Sequence, residues 1–281
     1  MKTWKKIVLG VSLISLFLGG GLVAWGYSQG GLIDLQNQTK SEQDYVKKEV
    51  DDFSKIDIKS SSYNVLIKNG DVDKATLSYY QKTKNPIDTS VKDGQLTIND
   101  NNSELDSTSN KHINFFGLKD LVRLSTLNEE VRNKTIVITL PKKQTIDFLK
   151  VDLATGNLDL SNSTIKQADI NLNVGDLTFT KMIVSQLKAN LDVGSVDSDN
   201  TLFTNSDLSI AMGDYSGDNL IFNGHNKLDV TSGDIEIVLK DYTLNVQADS
   251  HSGEVDITNN LKISKDNTLT ITSDLGDITV E

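Results

Sequence analysis

Glycine recurs at a nearly constant interval through the C-terminal half of this 281-residue sequence. The intervals are 19, 19, 19, 20, 20 and 23 residues, between Gly156, Gly175, Gly194, Gly213, Gly233, Gly253 and Gly276. The residue after each glycine is Asp, Glu, Asn or Ser, which suits a turn where the backbone takes a positive φ. We therefore predict that these seven glycines are structural turn residues, one in each repeat.

Apolar residues recur at fixed distances before these glycines. Three residues before stand Leu153, Leu172, Leu191, Ile210 and Val230, and five before stand Val151, Ile170, Ala189, Leu208 and Leu228. A repeat near 20 residues cannot bury its own apolar face, so neighbouring repeats must stack. The sequence predicts an all-β chain forming a β-solenoid of stacked single-coil repeats of about 20 residues. An antiparallel sandwich of hairpins is the alternative fold.

The last two repeats depart from this register. Their apolar pairs lie further from the glycine, as Val246 with Ala248 and Leu269 with Ile271. We expect two extra turn residues before Gly253 and before Gly276. The final coil ends at Val280 and Glu281 without an evident cap, so we expect its open edge to be available for pairing with another copy.

The N-terminal segment indicates a membrane anchor. Residues 7–27 are uncharged and long enough to cross a bilayer as a helix, and lysines at positions 2, 5 and 6 favour a cytoplasmic start. We predict a cytoplasmic stub (1–6), a transmembrane helix (7–27), a stalk (28–52) with a short helix near residues 47–49, and an extracytoplasmic β-solenoid domain (53–281). The protein would then be a single-pass cell-membrane protein. A cleaved signal peptide is the alternative interpretation.

Two features interrupt the expected solenoid before its repeats begin. Residues 53–99 alternate apolar and polar side chains as strands do, and Asp93-Gly94 indicates a hairpin. Residues 100–134 form an insertion, polar at first and then apolar at roughly helical spacing. We expect the insertion to pack on the sheets as an amphipathic segment; the alternative is a flap that touches the membrane or a partner.

Charge and composition restrict the function. The net charge of −11 argues against nucleic-acid binding, and the lack of cysteine excludes thiol chemistry and zinc–thiolate sites. Beyond residue 27 the chain has 25 basic and 39 acidic residues, a net charge of −14. Such a domain attracts basic groups, so we expect cationic peptides or another envelope protein as partners.

No set of residues indicates catalysis. The acidic turn column could bind calcium, but its spacing lacks the calcium-binding nonapeptide, and solvated turn carboxylates are the better interpretation; it comprises Asp176, Asp214, Asp234, Glu254 and Asp277. The three histidines, His112, His225 and His251, have no partners at ligand spacing. We predict no catalytic, cofactor or metal residues and no enzyme activity. The alternative hypotheses are an enzyme acting on polysaccharide and a self-assembling surface protein.

The sequence also resembles a known family. Residues 136–143 (IVITLPKK), residues 149–160 (LKVDLATGNLDL) and the serial Gly-Asp-Leu coils resemble the bacterial putative-adhesin domain family, which includes LiaX- and LiaG-like membrane-tethered envelope proteins. The resemblance covers about residues 53–281 and implies a β-solenoid-like domain with an adhesion or envelope-stress role and no catalytic residues. One departure is Tyr63, which stands where the first coil should have its turn glycine.

Overall fold

The computed structural model describes residues 43–82, 86–100 and 134–281. Within these ranges the chain forms 23 β-strands and no α-helix, in agreement with the predicted all-β class. No helix in the described ranges is long and apolar enough to cross a membrane. The predicted stub, the transmembrane segment 7–27, most of the stalk and nearly all of the insertion 100–134 lie outside the described residues.

The strands fall into an N-terminal group and a repeat group. The first group comprises β1 (Gln43–Glu49), β2 (Lys55–Ser60), β3 (Asn64–Gly70), β4 (Thr76–Lys82), β5 (Asp88–Lys92), β6 (Gln95–Asn99) and β7 (Thr135–Pro141). The second group comprises β8 (Thr145–Leu153), β9 (Leu158–Ser161), β10 (Thr164–Val174), β11 (Leu177–Thr180), β12 (Ile183–Val184), β13 (Leu187–Val193), β14 (Val196–Asp199), β15 (Leu202–Thr204), β16 (Ser206–Met212), β17 (Tyr215–Asn223), β18 (His225–Ser232), β19 (Ile235–Leu239), β20 (Asn245–Ser252), β21 (Val255–Ile257), β22 (Thr268–Leu275) and β23 (Ile278–Val280).

The repeats stack as parallel, in-register coils. In one stack, which we call sheet A, β3, β9, β11, β14, β17, β19, β23 and β21 pair in that order. In the other, sheet B, the order is β6, β2, β8, β10, β13, β16, β18, β22 and β20. Each coil runs along sheet B, turns at its glycine and returns through sheet A. The predicted solenoid is therefore confirmed, and the antiparallel sandwich is wrong for the repeats.

The predicted apolar columns form the core. Val151, Ile170, Ala189, Leu208 and Leu228 are direct register partners on successive strands of sheet B. All of them are buried. Three aromatic rings also pack together in the core: Phe179 of sheet A meets Phe203 edge-on at a centroid distance of 5.2 Å, and Phe203 stacks on its register partner Phe222 at 5.8 Å. Aromatic contacts in these geometries add to the free energy gained from burial alone.

Coil order differs from chain order at both ends of the solenoid. At the C-terminal end, β22 and β23 lie between the β18–β19 coil and the β20–β21 coil. Val280 is consequently buried in the interior of the stack. The expectation that the final coil forms the open edge is wrong, because β20–β21 is the terminal coil. At the other end, β2 lies between β6 and β8 in sheet B.

The last two repeats keep the register of the others. Leu228, Ile271 and Ala248 are direct neighbours across three strands, each five residues before its glycine. The expected extra turn residues are therefore absent. The apparent shift arises because serine, as Ser250 and Ser273, occupies the position three before the glycine, where earlier coils have an apolar residue.

The N-terminal strands close the first end of the solenoid. Strands β5 and β6 pair antiparallel through a turn in which Asp93 and Gly94 have φ values of 51° and 71°, so the predicted hairpin is confirmed. Strand β4 also pairs antiparallel, with β7 at the edge of sheet A. The short helix expected near residues 47–49 is wrong, because β1 is a strand that pairs with β4.

Candidate binding surface

The glycine corner is tightly stacked. Each corner residue lies on the one before it, in the order Tyr63, Gly156, Gly175, Gly194, Gly213, Gly233, Gly276 and Gly253. A Cβ atom on any of these seven glycines would lie 2.0–2.3 Å from the carbonyl oxygen of the corner residue below. Six of the glycines have φ between 143° and 150°, and Gly253 is the exception. Glycine is needed here for close backbone approach as well as for its φ, a reason that the repeat spacing alone did not show.

The residue after each corner forms a continuous hydrogen-bonded ladder. The backbone N–H of Asp176 donates to Oδ1 of Asn157 (3.0 Å), and the N–H of Ser195 donates to Oδ1 of Asp176 (3.0 Å). The same contact recurs from Asp234 to Asp214 (2.9 Å). Further contacts of this kind link Asn157 to Asn64, Asp214 to Ser195, Asp277 to Asp234 and Glu254 to Asp277. The turn carboxylates therefore accept backbone hydrogen bonds while remaining at the surface.

The first corner is built without glycine. The backbone N–H of Tyr63 donates to Oγ of Ser60 (3.0 Å), so a serine hydroxyl supports this turn. The phenol of Tyr63 donates to the backbone carbonyl of Tyr80 (3.0 Å). Burial, with a smaller contribution from the nearby Asp100, raises the pKa of Tyr63 to about 12. The phenol of Tyr63 is therefore neutral and donates a hydrogen bond at the first corner of the solenoid.

Carboxylates cover the outer surface of sheet A and the adjoining glycine corner. We call this surface the acidic face, and it consists of Asp176, Asp197, Asp199, Asp214, Asp218, Asp234, Glu236, Glu254, Asp256 and Asp277. The strands of sheet A from β11 to β21 contain no Lys or Arg. Most of these carboxylates are exposed. Stacking at about 4.8 Å per coil therefore concentrates negative charge on one side of the solenoid.

The outer surface of sheet B carries lysines as well as aspartates, unlike the acidic face. The residues six before the first five corner glycines are register neighbours whose signs alternate, as Lys150, Asp169, Lys188, Asp207 and Lys227. Asp57, six before Tyr63, continues the column. Opposite charges on neighbouring strands stabilise a sheet, and like charges destabilise it. Our sequence analysis missed this column, although the offset of −6 from the glycines could have revealed it. The excess negative charge therefore lies mainly on the acidic face.

Asp159 differs from the other carboxylates of sheet A. It stands at an outward position of β9, between Leu66 and Thr178, yet it is only 1% exposed. Neither of its carboxylate oxygens has a hydrogen-bond partner among the described residues. Burial raises the pKa of the Asp159 carboxyl to about 6, and the positive charge of Lys68 opposes this shift. Asp159 consequently contributes little to the acidic face.

Potential metal ligands do not cluster within residues 43–82, 86–100 and 134–281. No group of three or more potential metal ligands occurs in these ranges. His225 contacts Oγ1 of Thr268 (3.0 Å) on the neighbouring strand, and His251 is exposed on β20. His112 lies outside the described residues. The chemistry that this surface supports is therefore ionic and hydrogen-bonded recognition.

Comparison with known proteins identifies the family to which this chain belongs. The fold is a β-solenoid, and residues 53–281 match the Toastrack family model (DUF4097). The chain therefore belongs to the Toastrack family, in agreement with the resemblance to putative adhesins noted from the sequence. No curated protein matches the sequence.

Several solved structures are similar. A putative cell adhesion protein from Clostridium sporogenes is 16% identical, with a TM-score of 0.36, and the match covers 85% of this chain and 99% of that chain. A putative adhesin from Bacteroides fragilis is 16% identical, with a TM-score of 0.40 and coverage of 86% and 98%. A putative lipid binding protein from Parabacteroides distasonis is 11% identical, with a TM-score of 0.46 and coverage of 86% and 98%.

Proposed function

We propose that this protein is a membrane-anchored, extracytoplasmic binding protein without enzyme activity, and that it recognises cationic partners through the acidic face. The anchor would be residues 7–27, and the solenoid that carries the acidic face would lie outside the cytoplasm. The partner would be a cationic peptide or a basic surface of another envelope protein. The Toastrack family membership and the names of the similar adhesins support a role in adhesion or binding.

The observation that carries this proposal is the separation of charge between the two sheets. On sheet B, lysines alternate with aspartates. On sheet A, Asp218 and Glu236 lie on the adjacent strands β17 and β19, and neither strand contains Lys or Arg. Several carboxylates held on rigid, adjacent strands produce a focused negative potential that steers positively charged ligands. The hydrogen-bonded ladder keeps the corner carboxylates in fixed positions, so little ordering of them is needed on binding; these are Asp176, Asp214, Asp234 and Asp277.

Binding of a labelled octalysine peptide to the full chain in detergent tests the acidic face. The double substitution Asp218→Asn with Glu236→Gln should weaken binding about fivefold, at roughly 0.5 kcal/mol for each exposed charge. The matched control is Asp169→Asn with Asp207→Asn, which removes the same charge from sheet B and should have little effect. Equal weakening by both pairs would show attraction to net charge alone. Binding that is insensitive to salt would contradict the electrostatic mechanism.

The anchor requires a separate test. If residues 7–27 are retained, the mature chain isolated from membranes should have the mass of all 281 residues, with or without the initiating methionine. External protease should digest the solenoid of intact cells after the wall is removed. A mature N-terminus beyond residue 27 would support the signal-peptide alternative.

A further inference from the structure

The terminal coil of the solenoid, formed by β20 and β21, has an open edge. Within the described ranges, β20 pairs with β22 and β21 pairs with β23, and no further strand lies beyond them. The N–H of Asn245 donates to the carbonyl of Asn267 (3.0 Å), which lies just before β22. Alternate residues of a strand direct their backbone groups to opposite edges, so Val246 and Ala248 direct theirs to the open edge. A row of such groups is a template for pairing with another strand.

The apolar core is also uncovered at this end of the solenoid. Val255 occupies an inward position of β21 and is 41% exposed, whereas its register partner Ile278, one coil below, is fully buried. Ala248 of β20 is only half-buried, and its register partner Ile271 is again fully buried. Apolar surface that a further coil would cover is therefore exposed beside the open edge, and such surface is typical of a protein–protein contact.

The opposite end of the solenoid is closed. Strands β5 and β4 pair antiparallel with β6 and β7, and Lys48 of β1 donates a hydrogen bond to Oγ1 of Thr89 on β5, so the two edge strands contact each other. Strands β1 and β5 together contain three lysines, and lysine on an edge strand disfavours further pairing. Strands β20 and β21 contain neither lysine nor proline. In the part of the chain that the structure describes, the solenoid therefore has one open end.

From these observations we propose that the open end binds the open end of a second copy of this chain, so that the protein forms a two-fold dimer. The end of a second copy has the same spacing between its two sheets, so it covers the exposed core as well as the open edge. Because each chain has one open end, the contact closes on itself and gives a dimer rather than a filament. The contact lies at the end of the solenoid, so this proposal does not depend on the function proposed above.

Strand β20, the longer of the two edge strands, sets the register of the dimer. A two-fold axis requires that β20 pairs antiparallel with β20 of the second copy, and inward side chains must lie opposite inward side chains. An axis at Ala248 aligns residues 245–251 of both copies and places Gln247 opposite the partner's Asp249. An axis at Asp249 has the same overlap but places two like charges directly opposite each other, which is unfavourable. The axis at Ala248 is therefore the favoured register.

Sedimentation velocity of the full chain in detergent tests the dimer. The chain should sediment as a dimer at high concentration and dissociate reversibly on dilution. Val255→Lys places one ammonium group from each copy in the contact and should raise the dissociation constant at least about tenfold, because burying an unpaired charge is costly. The matched control is Met212→Lys, since Met212 is 59% exposed on β16, away from the terminal coil. This variant should dimerise as the unmodified chain does, and thermal unfolding should show that both variants are folded.

Cysteine cross-linking tests the register. The chain contains no cysteine, so Ala248→Cys introduces a single thiol in each copy. Hydrogen-bonded antiparallel partners have Cα atoms about 5.5 Å apart, within the range that a disulfide spans. Ala248→Cys should therefore form a covalent dimer under mild oxidation. Ala211→Cys, at an exposed position of β16, is the matched control and should remain monomeric under denaturing electrophoresis.

Three results would overturn the proposal. A full chain that stays monomeric at its highest soluble concentration would show that the open end serves a different partner. A dimer that Val255→Lys leaves intact, or that Met212→Lys weakens equally, would show that the copies meet somewhere other than the end of the solenoid. Equal cross-linking of Ala248→Cys and Ala211→Cys would show random collision instead of a defined contact.

Discussion

Replacing Gly194 by alanine tests whether close stacking at the glycine corner holds the coils together. Gly194 has φ of 147°, and a Cβ there would lie 2.0 Å from the carbonyl oxygen of Gly175 and 2.6 Å from its carbonyl carbon. That oxygen belongs to the backbone of the coil below and cannot rotate away as a side chain could. The two coils must therefore separate by about 1 Å to reach even a tight contact of 3.0 Å.

The cost of this separation follows from the contacts at the corner. The N–H of Gly175 donates to the carbonyl of Val193 (2.9 Å), and the N–H of Ser195 donates to Oδ1 of Asp176 (3.0 Å). A movement of about 1 Å breaks both hydrogen bonds, at roughly 1 kcal/mol each. Backbone strain at this φ adds about 1–3 kcal/mol. We expect Gly194→Ala to lower the free energy of unfolding by about 3–5 kcal/mol, a large part of the stability of a typical domain.

Urea denaturation of the full chain, followed by circular dichroism, measures this loss. Alanine substitutions at two other glycines distinguish the cost of backbone strain from the cost of the close contact. Gly94→Ala introduces strain at φ of 71° with no atom within 4 Å of the new Cβ, and it should cost about 1 kcal/mol. Gly253→Ala introduces a 2.0 Å contact without a positive φ, but in the terminal coil, which can move outward, so it should cost less than Gly194→Ala. A loss at Gly194 no larger than that at Gly94 would refute the stacking argument.

Three further predictions concern single side chains. The pKa of Asp159 is about 6 in the folded chain and near 3.8 when unfolded, so its contribution to the free energy of unfolding falls as pH rises from about 4 to 6. Asp159→Asn should remove this fall and stabilise the chain by up to about 3 kcal/mol at pH 7. Urea denaturation across this pH range measures the difference. Asp214→Ala should lose about 1 kcal/mol, because Oδ1 accepts the N–H of Asp234, whereas Asp214→Asn should be nearly neutral; equal losses would show that the hydrogen bond is unimportant. Phe203→Ala should cost about 3–5 kcal/mol in thermal unfolding, because the ring packs between Phe179 and Phe222, and a loss below about 1 kcal/mol would contradict this packing.

The repeat made the solenoid predictable from the sequence. A period of 19 or 20 residues places Val151 and Ile170 at the same position of successive coils, and the structure pairs them directly. The column of alternating charges on sheet B could have been predicted in the same way, because Lys150 and Asp169 also share one offset from their glycines. The reason is general: in-register parallel stacking converts a sequence period into a spatial column.

The binding surfaces were less predictable. Acidic turn residues were visible in the sequence, but their backbone hydrogen bonds depend on the coil below, as with Oδ1 of Asp176 and the N–H of Ser195.

The sequence by itself determined the all-β class, the coil length, the inward columns and the glycine at each corner. These properties are local, because each repeat specifies its own alternation and its own turn. The tertiary structure alone decided which coils are neighbours at the two ends. Strand β22 lies between β18 and β20, although β20 precedes it in the chain. All coils offer the same backbone hydrogen bonds and the same register to a neighbour, so the periodic pattern cannot specify coil order.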